Sequence, residues 1–308
     1  MTVQMAAHLN PDFRHDFVLL FDILDGNPNG DPDGGNLPRT DPETMQGLVT
    51  DVCLKRKVRN YVDLVGGDAA PNLIYIQNKG IALNDMNGRA YSALEIKATG
   101  TKQKRDDVDK ARQWMCQNFY DIRMFGAVMT TGVNCGQVRG PIQMTFARSQ
   151  DQIMPVDVAI TRIAITKRED AAVTVSEGGK GEGGKTTEIG RKAMIPYGLY
   201  RGHGFFSPHL AVQTGVTMED LGLFWDALVK MWEVDRSASR GLMAPRGIYV
   251  FSHENKLGNE AAHKLFKRVT VKLKNQGMPP RQFEDYEVNI DEVVDWPKGV
   301  TLTRLTEG

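Results

Sequence analysis

An apolar run, Phe17 to Leu24 (FVLLFDIL), passes without a spacer into DGNPNGDPDGGNLPRT, Asp25 to Thr40. The run has the length and the Phe/Val/Ile content of a buried strand. Pro28 and Pro32, with the glycines around them, deny the residues that follow both ladder and helix. Such a chain must build a sheet on its first strand and carry a long polar loop at that strand's end. A helix is expected next, over about 42–63. Thr40 or Asp41 can cap it, Pro42 suits its first turn, and Glu43 favours its positive end. Leu48, Val52, Leu54, Val58, Tyr61 and Val62 keep helical spacing, and Gly66-Gly67 stops it.

Beyond that point, 68–100 reads as irregular, with a short strand at Leu73 to Ile76. A second helix is expected over about 106–122, with Val108, Ala111, Met115, Phe119 and Ile122 as its stripe. Gly136 to Phe146 reads as a strand whose Pro141 suits an edge or bulge. Alternation at Val156, Val158 and Ile160, at Ile163 and Ile165, and at Val173 and Val175 predicts a hairpin arm around SEGGKGEGGKTTE. Residues 193–206 read as a strand. Thr217 with Asp220 forms a capping pair for a helix to about Glu233, and 247–251 and 269–273 read as strands. With insertions at 64–135 and 147–192 removed, the order is βαββαβ. That is an α+β chain of the ferredoxin-like or RNA-recognition (RRM-like) class.

Four short patterns carry possible chemistry. Lys55 and Arg59 are four apart on one helical face with Arg56 at its edge, opposite Leu54, Val58 and Tyr61; Arg39 lies in the loop before them. Such a face can track phosphates. It equally suits a solvated face near a helix C-terminus. Asp25-Gly-Asn27-Pro-Asn29-Gly30 matches the first half of a calcium loop, but position 12 is Asn36 and a strand precedes it. A metal-dependent ribonuclease using the Asp25 to Asp33 loop is therefore an alternative, and nothing pairs those acids with a base. Gly179 to Thr186 (GKGEGGKT) satisfies the P-loop pattern, yet Gly190 and Pro196 follow where a helix is required. A P-loop nucleotidase at 179–186 is the weaker alternative. Arg201-Gly-His203-Gly-Phe205-Phe206 partly matches an RNA-binding strand signature, with His203 in the place of a stacking aromatic. A glycine-bulged core strand fits the same residues.

Composition narrows the partners. The net charge of the 308 residues is +0, so affinity for nucleic acid must come from local clusters of cations. Cys53, Cys116 and Cys135 are scattered, without CxxC spacing, which fits a reducing cytosol and no zinc site. No apolar run approaches a membrane span, and the N-terminus lacks signal-peptide regions. No metal, no cofactor and no membrane partner are expected, and the expected location is cytoplasmic.

Taken together, NPNGDPDGGNLPRTD, LKRKVRN, FYDIRMFGAVM, GQVRGPIQ, GRKAMIPYGLYRGHGFFS and DRSASRG, in this order, resemble the backbone subunit of the type I-C CRISPR surveillance complex, Cascade. This is the Cas-seven family, Csd-two/Csh-two group. The resemblance implies an RRM-like palm, a fingers region inserted at 64–135, and a thumb hairpin at about 166–192 within the 147–192 insertion. It implies a non-catalytic protein whose copies line up as a helical filament along guide RNA (crRNA) for antiviral defence. The bases stay free to pair with target DNA, in company with other Cascade subunits and a recruited helicase-nuclease. The RNA-binding residues it implies are Arg39, Lys55, Arg56, Arg59, Arg139, Arg191 and Lys192, with Arg201 and His203 from the strand signature.

Overall fold

The computed structural model describes residues 6–99, 102–162, 164, 174–175, 181–182 and 188–307. The first strand, β1 (Arg14–Gly26), is followed by the two-residue strands β2 (Gly30–Asp31) and β3 (Leu37–Pro38), by β4 (Gln46–Val49) and by helix α1 (Asp51–Gly66). Helices α2 (Leu83–Ala93), α3 (Arg105–Asn118) and α4 (Tyr120–Phe125) come next. Strands β5 (Gly126–Met129), β6 (Gly136–Arg139), β7 (Ile142–Met144), β8 (Ala147–Gln152) and β9 (Val156–Arg162) follow. The pair β10 (Thr174–Val175) and β11 (Gly181–Glu182) precedes the long β12 (Glu188–Phe206). Helices α5 (Pro208–Thr214) and α6 (Met218–Val234) lead to β13 (Leu242–His253), α7 (Ala262–Arg268), β14 (Val269–Leu273), β15 (Tyr286–Ile290) and β16 (Val300–Glu307).

The central sheet is antiparallel, in the order β16-β13-β1-β12-β8-β4, with β7 and β9 also pairing to β12. Both faces of β1 are covered, which is why its sequence is apolar without alternation. Phe17, Leu19, Phe21 and Ile23 enter the main core with α1 and α6, while Val18 and Leu20 point into a second cluster with Leu265 of α7. In the main core Phe21 is stacked between Tyr200 at 5.4 Å and Trp232 at 4.8 Å. Gly204 is needed there because a Cβ would lie 2.0 Å from the Phe17 ring. On the opposite face lie α7 and the β14–β15 hairpin.

Several sequence expectations need correction. The helix expected from 42 begins only at Asp51. Asp41 does cap, but it caps a single turn: its Oδ1 accepts the N–H groups of Glu43 and Thr44, after which Met45 takes a positive φ of 57°. Gln46–Val49 then adds β4 to β8 at the sheet edge, and the N-cap of α1 is Thr50. Residues 83–93, read as irregular, form α2. Its apolar contacts are only Met86, Ala90 and Tyr91, too thin a stripe among Asn, Gly and Ser to be seen by periodicity. The expected strand at 73–76 is a single bridge, Leu73 to Phe119. That bridge splits the helix expected over 106–122, because Leu73 N–H donates to the Asn118 carbonyl and Tyr120 N–H to that of Leu73. The expected strand at 136–146 is two strands broken at Gly140-Pro141, β6 pairing with β5 and β7 with β12.

Other readings hold. Strands occupy 17–24, 193–206, 247–251 and 269–273, and α6 carries the Thr217–Asp220 capping box. Val156 to Ile160 form one arm of a hairpin stem against Gly190 to Met194. The alternation at Ile163, Ile165 and Val173, and most of the P-loop-like tract, lie outside the described residues.

Candidate nucleic-acid interface

The polar loop after β1 is held by its own side chains. Asn29 Oδ1 accepts both the N–H of Thr50 at 2.9 Å and its hydroxyl at 3.0 Å, and Thr50 Oγ accepts from Cys53 N–H. The loop is thereby tied to the first turn of α1. Asn27 N–H donates to Ser239 O at 2.7 Å, and Asn27 Nδ2 to Asn36 O at 2.7 Å. Ser239 belongs to the DRSASRG segment, so two separated sequence blocks form one clamp. Asp31 Oδ1 lies 3.3 Å from the Arg39 guanidinium and accepts from Asp33 N–H. Among the described residues, no three His, Cys, Asp or Glu side chains converge as metal ligands would.

The cations of α1 do not form the expected open ridge. Arg59 is 9% exposed, and its Nε donates to Asp121 Oδ2 at 2.7 Å while its guanidinium lies over Phe125 at 5.3 Å. Lys57 is buried and paired with Asp235, and burial lowers its pKa. Lys55 is half-buried, 2.9 Å from Asp51 and 5.8 Å from the Phe125 ring. Arg56 is the exposed member of the set. The cause is tertiary: α4 carries Asp121 and Phe125 across the helix face that spacing alone left open. Arg59, expected at phosphates, is here engaged in holding α1 to α4.

The conspicuous FYDIRMFGAVM block has the same character. Asp121 also accepts from the N–H groups of Tyr75 and Ile76, at 2.8 and 3.0 Å. Arg123 makes a two-point contact with Asp220, at 2.9 and 2.6 Å, and donates to the carbonyls of Pro71 and Cys116. These charges join the inserted helices to α1 and α6. The insertion has its own core of Tyr75, Met86, Tyr91, Met115, Phe119 and Met129, joined by Val138 of β6.

Accessible cations remain elsewhere. Arg191, at the root of the β9–β12 stem, has an 80% exposed side chain and pairs with Asp157 at 3.0 Å. Lys192 beside it is half-buried, in register with Val158. Arg39 is partly exposed; β3, which ends one residue before it, packs on β12, the strand that carries Arg191 and Lys192. Arg139, exposed on β6, stands between two clefts of about 690 and 560 Å³. Arg112, Gln137 and Gln213 line the first; Arg14, Phe205 and Lys256 line the second.

Arg201 and His203 sit on the far face of β12. Arg201 donates to the carbonyls of Val269 and Phe266 at 2.7 and 2.5 Å, and to His203 Nε2 at 3.1 Å. His203 stacks on Phe266 with centroids 4.5 Å apart. Burial, and then the Arg201 charge, push its pKa down to about 4, so the ring is neutral at physiological pH.

A family model described as CRISPR-associated protein Cas7 matches residues 13–291. A CRISPR-associated protein Cas7 of Haloferax volcanii is 30% identical over 122 residues, which is 38% of this chain and 32% of that relative. The match thus spans less than half of either protein. Among solved structures, a CRISPR RNA-guided surveillance complex in a pre-nicking state aligns at a TM-score of 0.47 and 14% identity. That alignment covers 77% of this chain and 78% of the other. A second CRISPR RNA-guided surveillance complex aligns at 0.41 and 13% identity, over 77% and 68% of the two chains. A type III-B Cmr-beta complex bound to cognate target RNA aligns at 0.37 and 12%, over 77% and 61%.

Proposed function

This chain belongs to the Cas7 family of CRISPR-associated proteins, and from that premise we propose that it is a guide-RNA-binding backbone subunit. Its copies assemble along the RNA into a filament within a Cascade complex of type I-C. The observation that carries this is the family match across 13–291, which takes in the loop, α1, both insertions and the stem. The type I-C assignment rests on the resemblance of the six sequence blocks.

The palm is the βαββαβ set β1, α1, β7/β8, β12, α6 and β13. An RRM-like reading is supported by the neighbours of its strands: β13 beside β1, β1 beside β12, β12 beside β7 and β8. The separate core of the 64–135 insertion supports fingers, and the β9–β12 stem supports a thumb. Guide phosphates are held by Arg39, Arg56, Arg139, Arg191 and Lys192, with Lys55 at the margin. Binding to sugar and phosphate leaves the bases free to pair with target DNA.

The subunit is non-catalytic. Asp31, which a nuclease would place on a metal, is taken up by Arg39 and by the turn it stabilises. Strand cutting then falls to a recruited helicase-nuclease, and the other Cascade subunits complete the particle. The complex works in the cytoplasm; among the described residues no helix is long and apolar enough to cross a membrane.

The test is to purify the chain and examine the nucleic acid it carries, then titrate salt against single-stranded RNA. RNA of uniform length and a steep, sequence-independent salt slope are expected. Arg191→Ala with Lys192→Ala should flatten the slope by about 1.4, at roughly 0.7 per phosphate contact on a single strand. Absence of RNA binding at low ionic strength defeats the reading, and Mg²⁺-dependent cleavage abolished by Asp31→Ala revives the nuclease.

A further inference from the structure

A cleft of about 610 Å³ lies between the outer face of β12 and the α7–β14 unit, lined by Arg201, His203, His263, Phe266, Lys267 and Lys272 among others. Among the described residues, no carboxylate lines it. The surrounding cations sort into neutralised and unneutralised ones. Lys264 is paired with Glu260 at 3.2 Å, and Arg268 lies 3.9 Å from Asp291 and donates to the carbonyls of Asp291, Val294 and Asp295. Neither of those lines this cleft; with Glu260 and Asp291 they line a neighbouring one, with Lys267 in the shared wall. Lys267 is exposed and has no ion-pair partner among the described residues. Lys272 is exposed, with Glu287 across the ladder from it.

Arg201 is the decisive group. Its guanidinium is half-buried and, among the described residues, its contacts are two carbonyls and a neutral imidazole, none of which cancels its charge. A desolvated cation without a counter-anion is costly, and an anionic ligand removes that cost. His203 Nε2 accepts from Arg201, so its proton sits on Nδ1 and remains available as a donor. The His203–Phe266 stack supplies a flat aromatic platform beside the cations. Cations next to stacked rings, in a cleft of ligand-sized volume, are the features that bind a base and its phosphate together.

We propose that this cleft holds one nucleotide of a single-stranded RNA, its base against the His203–Phe266 pair and its phosphate among Arg201, Lys267 and Lys272. The inference rests on the guide-RNA reading for the source of the strand. It adds a contact on the C-terminal side of the sheet, away from α1 and the stem.

The test uses the full chain and a single-stranded RNA carrying 4-thiouridine. In the wild type, cross-links to peptides containing 201–205 and 263–272 are expected. Lys267→Ala with Lys272→Ala, both exposed, should abolish them, lower affinity about tenfold and reduce the salt slope by about 1.4. Lys264→Ala, which removes a paired neighbour, should leave both readouts unchanged. If the wild type binds RNA with no cross-link to either peptide, or the double variant keeps the wild-type slope, this inference is overturned and the guide-RNA reading stands. If the wild type binds no RNA, both fall.

Discussion

Replacing Asp121 by asparagine tests what Arg59 is for. Asp121 is 1% exposed and meets three donors: Arg59 Nε at 2.7 Å, Tyr75 N–H at 2.8 Å and Ile76 N–H at 3.0 Å. Asparagine keeps the shape but turns one acceptor oxygen into a donor. Either orientation of the amide aims N–H at N–H, against Tyr75 in one and against Arg59 and Ile76 in the other. Arg59 is also left as a buried cation without its carboxylate. Breaking a buried pair from one side costs about 3–5 kcal/mol, and the misdirected amide, worth about 1–3 kcal/mol, overlaps with that figure. Against a total stability of roughly 5–15 kcal/mol, the loss is severe.

Urea unfolding at constant m-value measures it, and proteolysis within 67–81 should rise first, because Tyr75 and Ile76 lose their anchor. The pair Arg59→Met with Asp121→Leu should recover part of the loss, since no isolated charge remains. A loss below about 1 kcal/mol for Asp121→Asn would refute the reasoning. So would an Arg59→Met protein of unchanged stability whose RNA salt slope fell, for Arg59 would then be meeting phosphates.

Gly204→Ala should destabilise by about 1–3 kcal/mol or more, because its Cβ would lie 2.0 Å from the outer edge of the Phe17 ring; an unchanged melting temperature contradicts this packing. Tyr200→Phe should change stability by less than about 1 kcal/mol, since the buried Tyr200 hydroxyl has no hydrogen-bond partner among the described residues; a larger loss in urea unfolding would expose a partner. Burial pushes fully enclosed His15 down to about 4. Between its unfolded value near 6.5 and that value, the unfolded chain binds a proton that the folded chain refuses. Stability is therefore full above pH 6.5 and falls as pH drops toward 4, by on the order of 3 kcal/mol from this group. Urea midpoints that stay flat across that window would count against a buried, neutral His15.

The sequence alone determined the parts whose signal is local. The covered strand at 17–24, the Thr217–Asp220 box and the stem at 156–160 are written in period, capping chemistry and glycine or proline placement. Those depend on neighbours within a few residues. The six blocks that carry the family resemblance are likewise legible, although much of what they specify proves to be architecture: Asn27 to Ser239, Asp121 to Arg59, Arg123 to Asp220.

What only the tertiary structure decided is which cations face outward. Helical spacing puts Lys55 and Arg59 on one face, but spacing cannot say that α4 will lie across it. Likewise Asp41 reads as a helix cap until β8 offers Gln46–Val49 a ladder. Lys267 and Lys272 gave no signal at all, since only folding brings them to one cleft beside Arg201. Burial and countercharge belong to contacts between segments far apart in the chain, and no window along it contains them.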